Sequence, residues 1–268
     1  MGSLLRRHGL APRRAAGQNF VTDPNTVRRI VAASGVTADD AVLEIGPGLG
    51  SLTLGLAAIV RRVVAVEIDA GLVSALTEVL DGVEGVEVVH ADALHTDLGR
   101  LVSDEPVKVV ANLPYNTATP LVFHALAHPA VTELFVMVQR EVADRWRSTV
   151  GDAAYGAVSV KLALLSEVRT ELTIPRSVFH PVPNVDSVMV RLTRRADAPD
   201  RESYVRLAGL ADAAFAQRRK TLRNTLRRVA EPPRLAVAAD AAGIDLGARA
   251  ETLTPADLRR LDAALHGS

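Results

Sequence analysis

In Glu44-Ile45-Gly46-Pro47-Gly48-Leu49-Gly50, three glycines stand at alternate positions behind an apolar run headed by an acid. Glycines in that pattern let the backbone pass close to a ligand at the carboxyl edge of a sheet. The loop is similar to the dinucleotide-binding G-x-G-x-x-G but departs from it, because Ser51 stands where the last glycine belongs and Pro47 replaces a free residue. Two further acids extend the pattern. Glu67 ends a second apolar run 23 residues after Glu44, where a carboxylate can accept both hydroxyls of a ribose. Asp92, in His90-Ala91-Asp92-Ala93, follows a third run, where it can bind the amino group of an adenine. Asp69 is an alternative ribose ligand, and Asp92 an alternative helix cap.

An acid-rich loop repels a pyrophosphate and tolerates a cation, so the ligand it suits carries ribose and adenine without pyrophosphate. S-adenosylmethionine meets those conditions. Glu44, Gly46, Gly48, Glu67, Ile68, Asp92 and Ala93 are the residues expected to hold it. A fourth run ends in Asn112-Leu113-Pro114-Tyr115. This tract resembles the N-P-P-Y or N-L-P-Y signature of methyltransferases that act on the amino groups of adenine or cytosine. An exocyclic amine is a poor nucleophile because its lone pair is delocalised into the ring. The Asn112 side-chain oxygen and the Leu113 carbonyl can each accept one of its protons and draw the nitrogen toward tetrahedral geometry. Pro114 stiffens the loop, which matters where positioning supplies most of the catalysis. Tyr115 offers a ring on which an extruded base can stack.

Over nearly its whole length the chain resembles the KsgA family of ribosomal RNA adenine dimethyltransferases. Gly17-Gln18-Asn19-Phe20-Val21 is similar to the family's G-Q-N-F-L, with Val21 in place of leucine. Asn112 to Asn116 with Thr119-Pro120-Leu121 is similar to N-L-P-Y-N-x-S-T-P-L. Tyr155-Gly156 with Ser159-Val160 resembles a further block. Phe179-x-Pro181-x-Pro183-x-Val185-Asp186-Ser187 follows F-x-P-x-P-x-V-D-S residue for residue, and Phe215 to Asn224 resembles F-x-Q-R-R-K-T-L-R-N. The resemblance implies that Gln18, Asn19, Phe20 and Val21 close over the methionine part of the cofactor, with Asn112 also in contact. It implies that Phe179 forms a second wall against the target base. It further implies transfer of methyl groups from S-adenosylmethionine to N6 of two adjacent adenosines in the 3′-terminal hairpin of small-subunit rRNA, within a pre-30S particle. The enzyme is expected to act as a monomer and without metal. Two other readings share these motifs: an Erm-type large-subunit rRNA methyltransferase, and a non-catalytic RNA-binding assembly factor on the same fold. The complete cofactor set argues against the second.

These residues need a sheet to hold them. Strands are expected at Ala41–Gly46, Val63–Ile68, Val86–His90, Lys108–Leu113 and Thr132–Val138, and helices at Ser51–Val60, Gly71–Leu80 and Thr119–His128. Strand–helix alternation with strands buried on both faces marks a parallel α/β sheet. Glu167–Ile174 and Asp186–Thr193, with no clear helix between them, read as an antiparallel pair at its edge. The expected fold is therefore α/β, a class I methyltransferase with a Rossmann-like, seven-stranded, mostly parallel sheet over residues 1–195. Beyond the polar linker 194–201, residues 196–268 read as a small helical RNA-binding domain. Trp146, Phe123, Phe135 and Phe215 read as core, and Tyr155 fits either core or surface. His124 and His128, four apart, have no third ligand nearby in sequence. Ser51 has no base near it and suits a helix start.

Charge refines this picture. The 31 basic and 31 acidic side chains cancel, and a neutral chain taken as one number argues against nucleic acid. Split along the chain, residues 1–30 carry +5 and residues 31–110 carry −9, with +2 in each of 111–195 and 196–268. The acidic zone builds the half of the sheet expected to hold a cationic cofactor. The basic zones are the N-terminal arm and Arg218–Arg228, where six cations fall within eleven residues that contain no acid. Arg218, Arg219, Lys220 and Arg223 are the expected RNA contacts. The absence of cysteine excludes a disulfide framework and a thiol nucleophile. No run approaches the ~18 apolar residues of a membrane span and no signal-peptide pattern opens the chain, so a cytoplasmic protein is expected.

Overall fold

The computed structural model describes residues 2–10, 19–102 and 105–267. Its strands are β1 (Phe20–Val21), β2 (Ala41–Ile45), β3 (Arg62–Glu67), β4 (Val86–His90), β5 (Val107–Asn112), β6 (Val131–Gln139), β7 (Ser166–Ile174), β8 (Phe179–His180) and β9 (Ser187–Arg194). Its helices are α1 (Gly2–Arg7), α2 (Pro24–Ser34), α3 (Ser51–Ala57), α4 (Ala70–Val79), α5 (Leu98–Val102), α6 (Ala118–Leu126), α7 (Arg140–Arg147), α8 (Ala157–Leu165), α9 (Arg201–Phe215), α10 (Leu222–Thr225), α11 (Pro232–Ala242) and α12 (Pro255–His266).

Seven strands form one sheet in the order β4-β3-β2-β5-β6-β9-β7. The first five run parallel, and β9 runs antiparallel to β6. β2 (AVLEI) and β3 (RVVAVE) are apolar on both faces and almost wholly buried, as central parallel strands must be. The expected strand positions hold to within a residue or two, and β7 and β9 lie at the sheet edge. From β2 the chain builds outward to β3 and β4 on one side and to β5 and β6 on the other. That reversal opens a crevice at the carboxyl ends of β2 and β5.

The helix starts are set by local chemistry. Asp23 caps α2 by accepting from the Thr26 amide at 2.9 Å, Pro24 opens the helix, and Gly35 closes it in the left-handed region. Asp69 caps α4 by accepting from the amides of Gly71 and Leu72 at 2.9 and 3.2 Å. On β9, Arg191 donates to the carbonyls of Ala33 and Ser34 at the end of α2, pairs with Glu133 and Glu171, and lies 4.7 Å over the Phe135 ring. It fastens α2 to the sheet.

The chain forms two compact units. One is Met1–Ala143 with Arg169–Arg194, and the other is Asp144–Val168 with Arg195–Ser268. This differs from a single break at residue 195. The reason lies in the core of the second unit, where Tyr155, Val160 and Leu164 join Leu207, Leu210, Ala214, Leu222, Leu258 and Leu261. Tyr155 is buried there, its hydroxyl donating to the Leu253 carbonyl at 2.6 Å and its ring edge-on to Phe215. Trp146 and Phe135 are buried as expected, while Phe123 is half-buried.

Candidate cofactor and substrate site

Because β2, β3, β4 and β5 are parallel neighbours, their carboxyl ends line one edge. Along that edge stand Asp92 after β4, Glu67 at the end of β3, the glycine loop after β2 and Asn112 at the end of β5. Strand spacing sets the span from Asp92 to Asn112 at about 15 Å, the length of an extended nucleoside with a short tail.

The glycine loop carries positive φ at Gly46 (71°), Gly48 (58°) and Gly50 (79°). At Gly48 a Cβ would fall 2.7 Å from the Phe20 ring, so the absence of a side chain lets β1 lie close over the loop. β1 is held there by antiparallel pairing to β8, Phe20 opposite His180 and Val21 opposite Phe179. No local pattern announces this two-stranded ribbon, whose partners lie about 160 residues apart. A cavity of about 80 Å³ lies among Asn19, Phe20, Glu44, Gly46, Gly48, Asn112 and Pro114. Ser51, Leu52 and Leu72 also line it, which sequence reasoning did not assign. Ser51 is the first residue of α3, as its type suggests.

Glu44 is buried, and its Oε2 has no hydrogen-bond partner. Burial, reinforced by the negative charge of Glu67, pushes its carboxyl up to about 8. Glu67 accepts from the amides of Gly48 (3.2 Å), Ile68 (2.9 Å) and Asp69 (3.0 Å), while burial raises its carboxyl above the ordinary range. The Asp69 carboxylate caps α4, while that of Glu67 accepts from three amides at the end of β3. Ile68 beside it is 62 % exposed, an apolar side chain on the surface. Asp92 accepts from His95 Nδ1 at 2.7 Å and the Leu94 amide at 2.9 Å, and the His95 bond holds its carboxyl below the usual range. Ala93 next to it is buried. No helix starts at Asp92, since α5 begins at Leu98, and its carboxylate closes the turn that follows β4.

At β5 the Asn112 amide nitrogen donates to the Asn19 carbonyl at 2.8 Å. With its donor occupied there, the Asn112 side chain keeps its oxygen as the acceptor. Leu113 is buried, its amide bonded to the Met137 carbonyl at 3.3 Å, and Pro114 follows on the cavity wall. Tyr115 is half-buried. Its phenol meets Ser187 Oγ at 2.7 Å, and burial raises its ionisation above the ordinary range. Ser187, the last residue of the V-D-S block and wholly buried, therefore fixes the tyrosine ring.

Phe179 differs from expectation. It is only 2 % exposed and packs among Val21, Val27, Phe135, Met137, Ile174 and Met189. Its flanking prolines suggested an open ring, but pairing of β8 with β1 covers it. Gln18 lies outside the described residues, whereas Asn19, Phe20 and Val21 line the cavity together with the glycine loop. His124 is bonded to the Thr96 carbonyl at 2.8 Å, and among the described residues no group of His, Asp and Glu could hold a metal ion.

In the second unit the basic run is not one helix. α9 stops at Phe215, residues 216–220 form a turn, α10 spans only Leu222–Thr225, and a 3-10 turn carries Arg227 and Arg228. Arg218, Arg219, Lys220, Arg223, Arg227 and Arg228 are all exposed. Arg218 donates to the Ala153 carbonyl at 3.0 Å.

A family model described as ribosomal RNA adenine dimethylase matches residues 10–265. Curated relatives include the ribosomal RNA small subunit methyltransferase A of Thermobifida fusca, 49 % identical over 96 % of this chain and 92 % of its own. The protein of the same name from Leifsonia xyli is 48 % identical over 95 % of this chain and 93 % of its own. Among solved structures, the 23S rRNA methyltransferase ErmE is 31 % identical with a TM-score of 0.69, over 92 % of this chain and 99 % of that one. A dimethyladenosine transferase from Plasmodium falciparum is 26 % identical with a TM-score of 0.71, over 90 % and 95 %.

Proposed function

Since the chain belongs to the ribosomal RNA adenine dimethylase family, we infer that it is a methyltransferase that converts two adjacent adenosines in the 3′-terminal hairpin of 16S rRNA to N6,N6-dimethyladenosine. The small-subunit relatives are considerably more similar to it than ErmE is, which favours this target over 23S rRNA. The fold is that of the class I methyltransferases. The observation that carries the mechanism is the Asn112 amide, whose nitrogen is held by Asn19 while its oxygen remains to accept.

The residues fit S-adenosylmethionine. The buried, unpartnered Glu44 Oε2 calls for a cation, and the glycine loop borders the cavity beside it. Gly46 and Gly48, with Asn19, Phe20 and Val21, would hold the amino-acid end, Glu67 the ribose, and Ile68, Asp92 and Ala93 the adenine; Gln18 joins them on resemblance. When bound, the cofactor supplies an electrophilic methyl group on a sulfonium. Asn112 Oδ1 and the Leu113 carbonyl each accept a proton of the target N6 amine, orienting its lone pair for in-line attack. Pro114 keeps that loop stiff. Tyr115, its ring fixed through Ser187, stacks on the extruded base. The resemblance assigns Phe179 as a second wall, and in this structure it packs under β1.

Arg218, Arg219, Lys220 and Arg223 form an exposed surface for RNA phosphates. The substrate is a pre-30S particle in the cytoplasm, met by a monomer. No described helix is long and apolar enough to cross a membrane. The test is Asn112→Ala on small subunits that lack the modification. Cofactor affinity should stay within a few-fold of wild type, while methyl transfer falls by about a hundredfold or more. Wild-type turnover in that variant would sink the mechanism. Mapping dimethyladenosine in both rRNAs of a deletion strain separates the two ribosomal targets, and a full complement of the modification there would leave only a non-catalytic role.

A further inference from the structure

The Glu44 carboxyl is enclosed at 1 % exposure at the head of the glycine loop, on the wall of the cofactor cavity. One of its oxygens has no hydrogen-bond partner. The other titratable group bearing on it is Glu67, from β3. On its other sides α3 offers Thr53 and β5 offers Asn112, both uncharged, and β1 offers Phe20. Among the described residues no cation lines this cavity. A buried carboxylate is costly to ionise unless a counter-charge meets it, and a cationic ligand in this cavity would supply one.

We propose that Glu44 exchanges its proton for the positive charge of the cofactor, so that cofactor uptake and proton release at this carboxyl are one coupled event. In the free protein Glu44 holds its proton. On binding, the O–H bond breaks, the proton passes to the buffer, and the carboxylate left behind neutralises the incoming cation. Charge in the cavity is thereby conserved. Its raised ionisation, near 8, places the exchange across the neutral range. The inference rests on the cofactor assigned above and deepens it, because binding then depends on pH through the protein as well as through the ligand.

The shared chemistry is a cation, and the cofactor carries two: an ammonium at its amino-acid end and the sulfonium. S-adenosylhomocysteine keeps the first and lacks the second. Titration calorimetry of the full chain at pH 6.5, in two buffers of different ionisation enthalpy, counts protons released per ligand bound. Wild type should release close to one, and affinity should rise by up to about tenfold between pH 6 and 7. Glu44→Gln should release none, keep Glu67 intact, and lose that rise. Release with both ligands assigns the exchange to the ammonium, and release with S-adenosylmethionine alone assigns it to the sulfonium. Binding by wild type without proton release overturns the proposal and leaves the cofactor assignment standing. Release that persists in Glu44→Gln overturns it by placing the proton elsewhere. Failure of wild type to bind either ligand overturns the cofactor assignment and the proposal together. Should Glu44→Gln not fold, Glu67→Gln decides instead: proton release that survives in it stays with Glu44, and release that disappears overturns the proposal.

Discussion

A carboxyl group closed off from water, with one oxygen unpartnered, weakens the folded state whenever it is ionised. For Glu44 the sign follows from its raised ionisation: between about 4.5 and 8 the folded chain keeps a proton that the unfolded chain has released. Stability of the cofactor-free protein should therefore fall as pH rises through that window, by at most about 1.4 kcal/mol per unit, and level off above it. Glu44→Gln should flatten this slope and melt higher than wild type at pH 8. Thermal melts without cofactor from pH 5 to 8 measure it, and parallel profiles for the two proteins would contradict the assignment. That Glu44, Glu67, Asp92 and Asn112 belong to one edge was legible from spacing, because each follows an apolar run that forms a strand. What each side chain touches was not. Whether Asp69 or Glu67 faces a ribose depends on where α4 starts, and the fixing of Tyr115 by Ser187 joins residues 72 apart. Nor does the burial of Phe179 show in its own neighbourhood, since its cover comes from β1, about 160 residues earlier.

Among the elements, the parallel strands announced themselves through short β-branched runs, and the glycine loop through its composition. α8 did not, because Ala157–Leu165 (AVSVKLALL) is apolar nearly all round and shows no stripe from which a helix can be read. α2 does carry a stripe in Val27, Ile30, Val31 and Ser34. Its arginines drew attention to charge instead. The glycine loop and β1 act as one element, and Gly48 is where they meet. Gly48→Ala adds a side chain at φ 58° and sets it 2.7 Å from the Phe20 ring. The left-handed backbone alone costs about 1 kcal/mol, and Phe20 must move besides. The expected outcome is a cofactor Kd raised about tenfold or more with a melting temperature lower by several degrees. Calorimetric binding and a thermal melt of the same sample check both. Unchanged affinity would show that the ribbon does not cover the ligand.

At the scale of the whole molecule, zero net charge conceals opposed zones, and the cations of Arg218–Arg228 lie in exposed turns and one short helix rather than along a single helical face. Replacing Arg218, Arg219 and Lys220 by alanine should weaken binding to small subunits. It should also lower the slope of log affinity against log salt by up to about two to three, the number of phosphate contacts removed. Binding measured at several salt concentrations tests this, and an unaltered slope would remove the run from the RNA surface. The helical character of residues beyond 195 was legible from alanine, leucine and proline placement. The recruitment of Asp144–Val168 into the same unit was not, since no shift in composition marks residue 144.

That recruitment has a consequence for how the chain is made. A nascent chain leaves the ribosome in order, so Asp144–Val168 emerges before Arg169–Arg194, the segment that completes the sheet of the first unit. The sheet can close while α8 still lacks the partners for Val160 and Leu164, which arrive only with α9 and the helices after it. For the time needed to add some fifty to a hundred residues, α8 presents an apolar surface with nowhere to go. Translational pausing within the last quarter of the message would lengthen that interval, leaving a finished sheet joined to an adhesive, half-built partner.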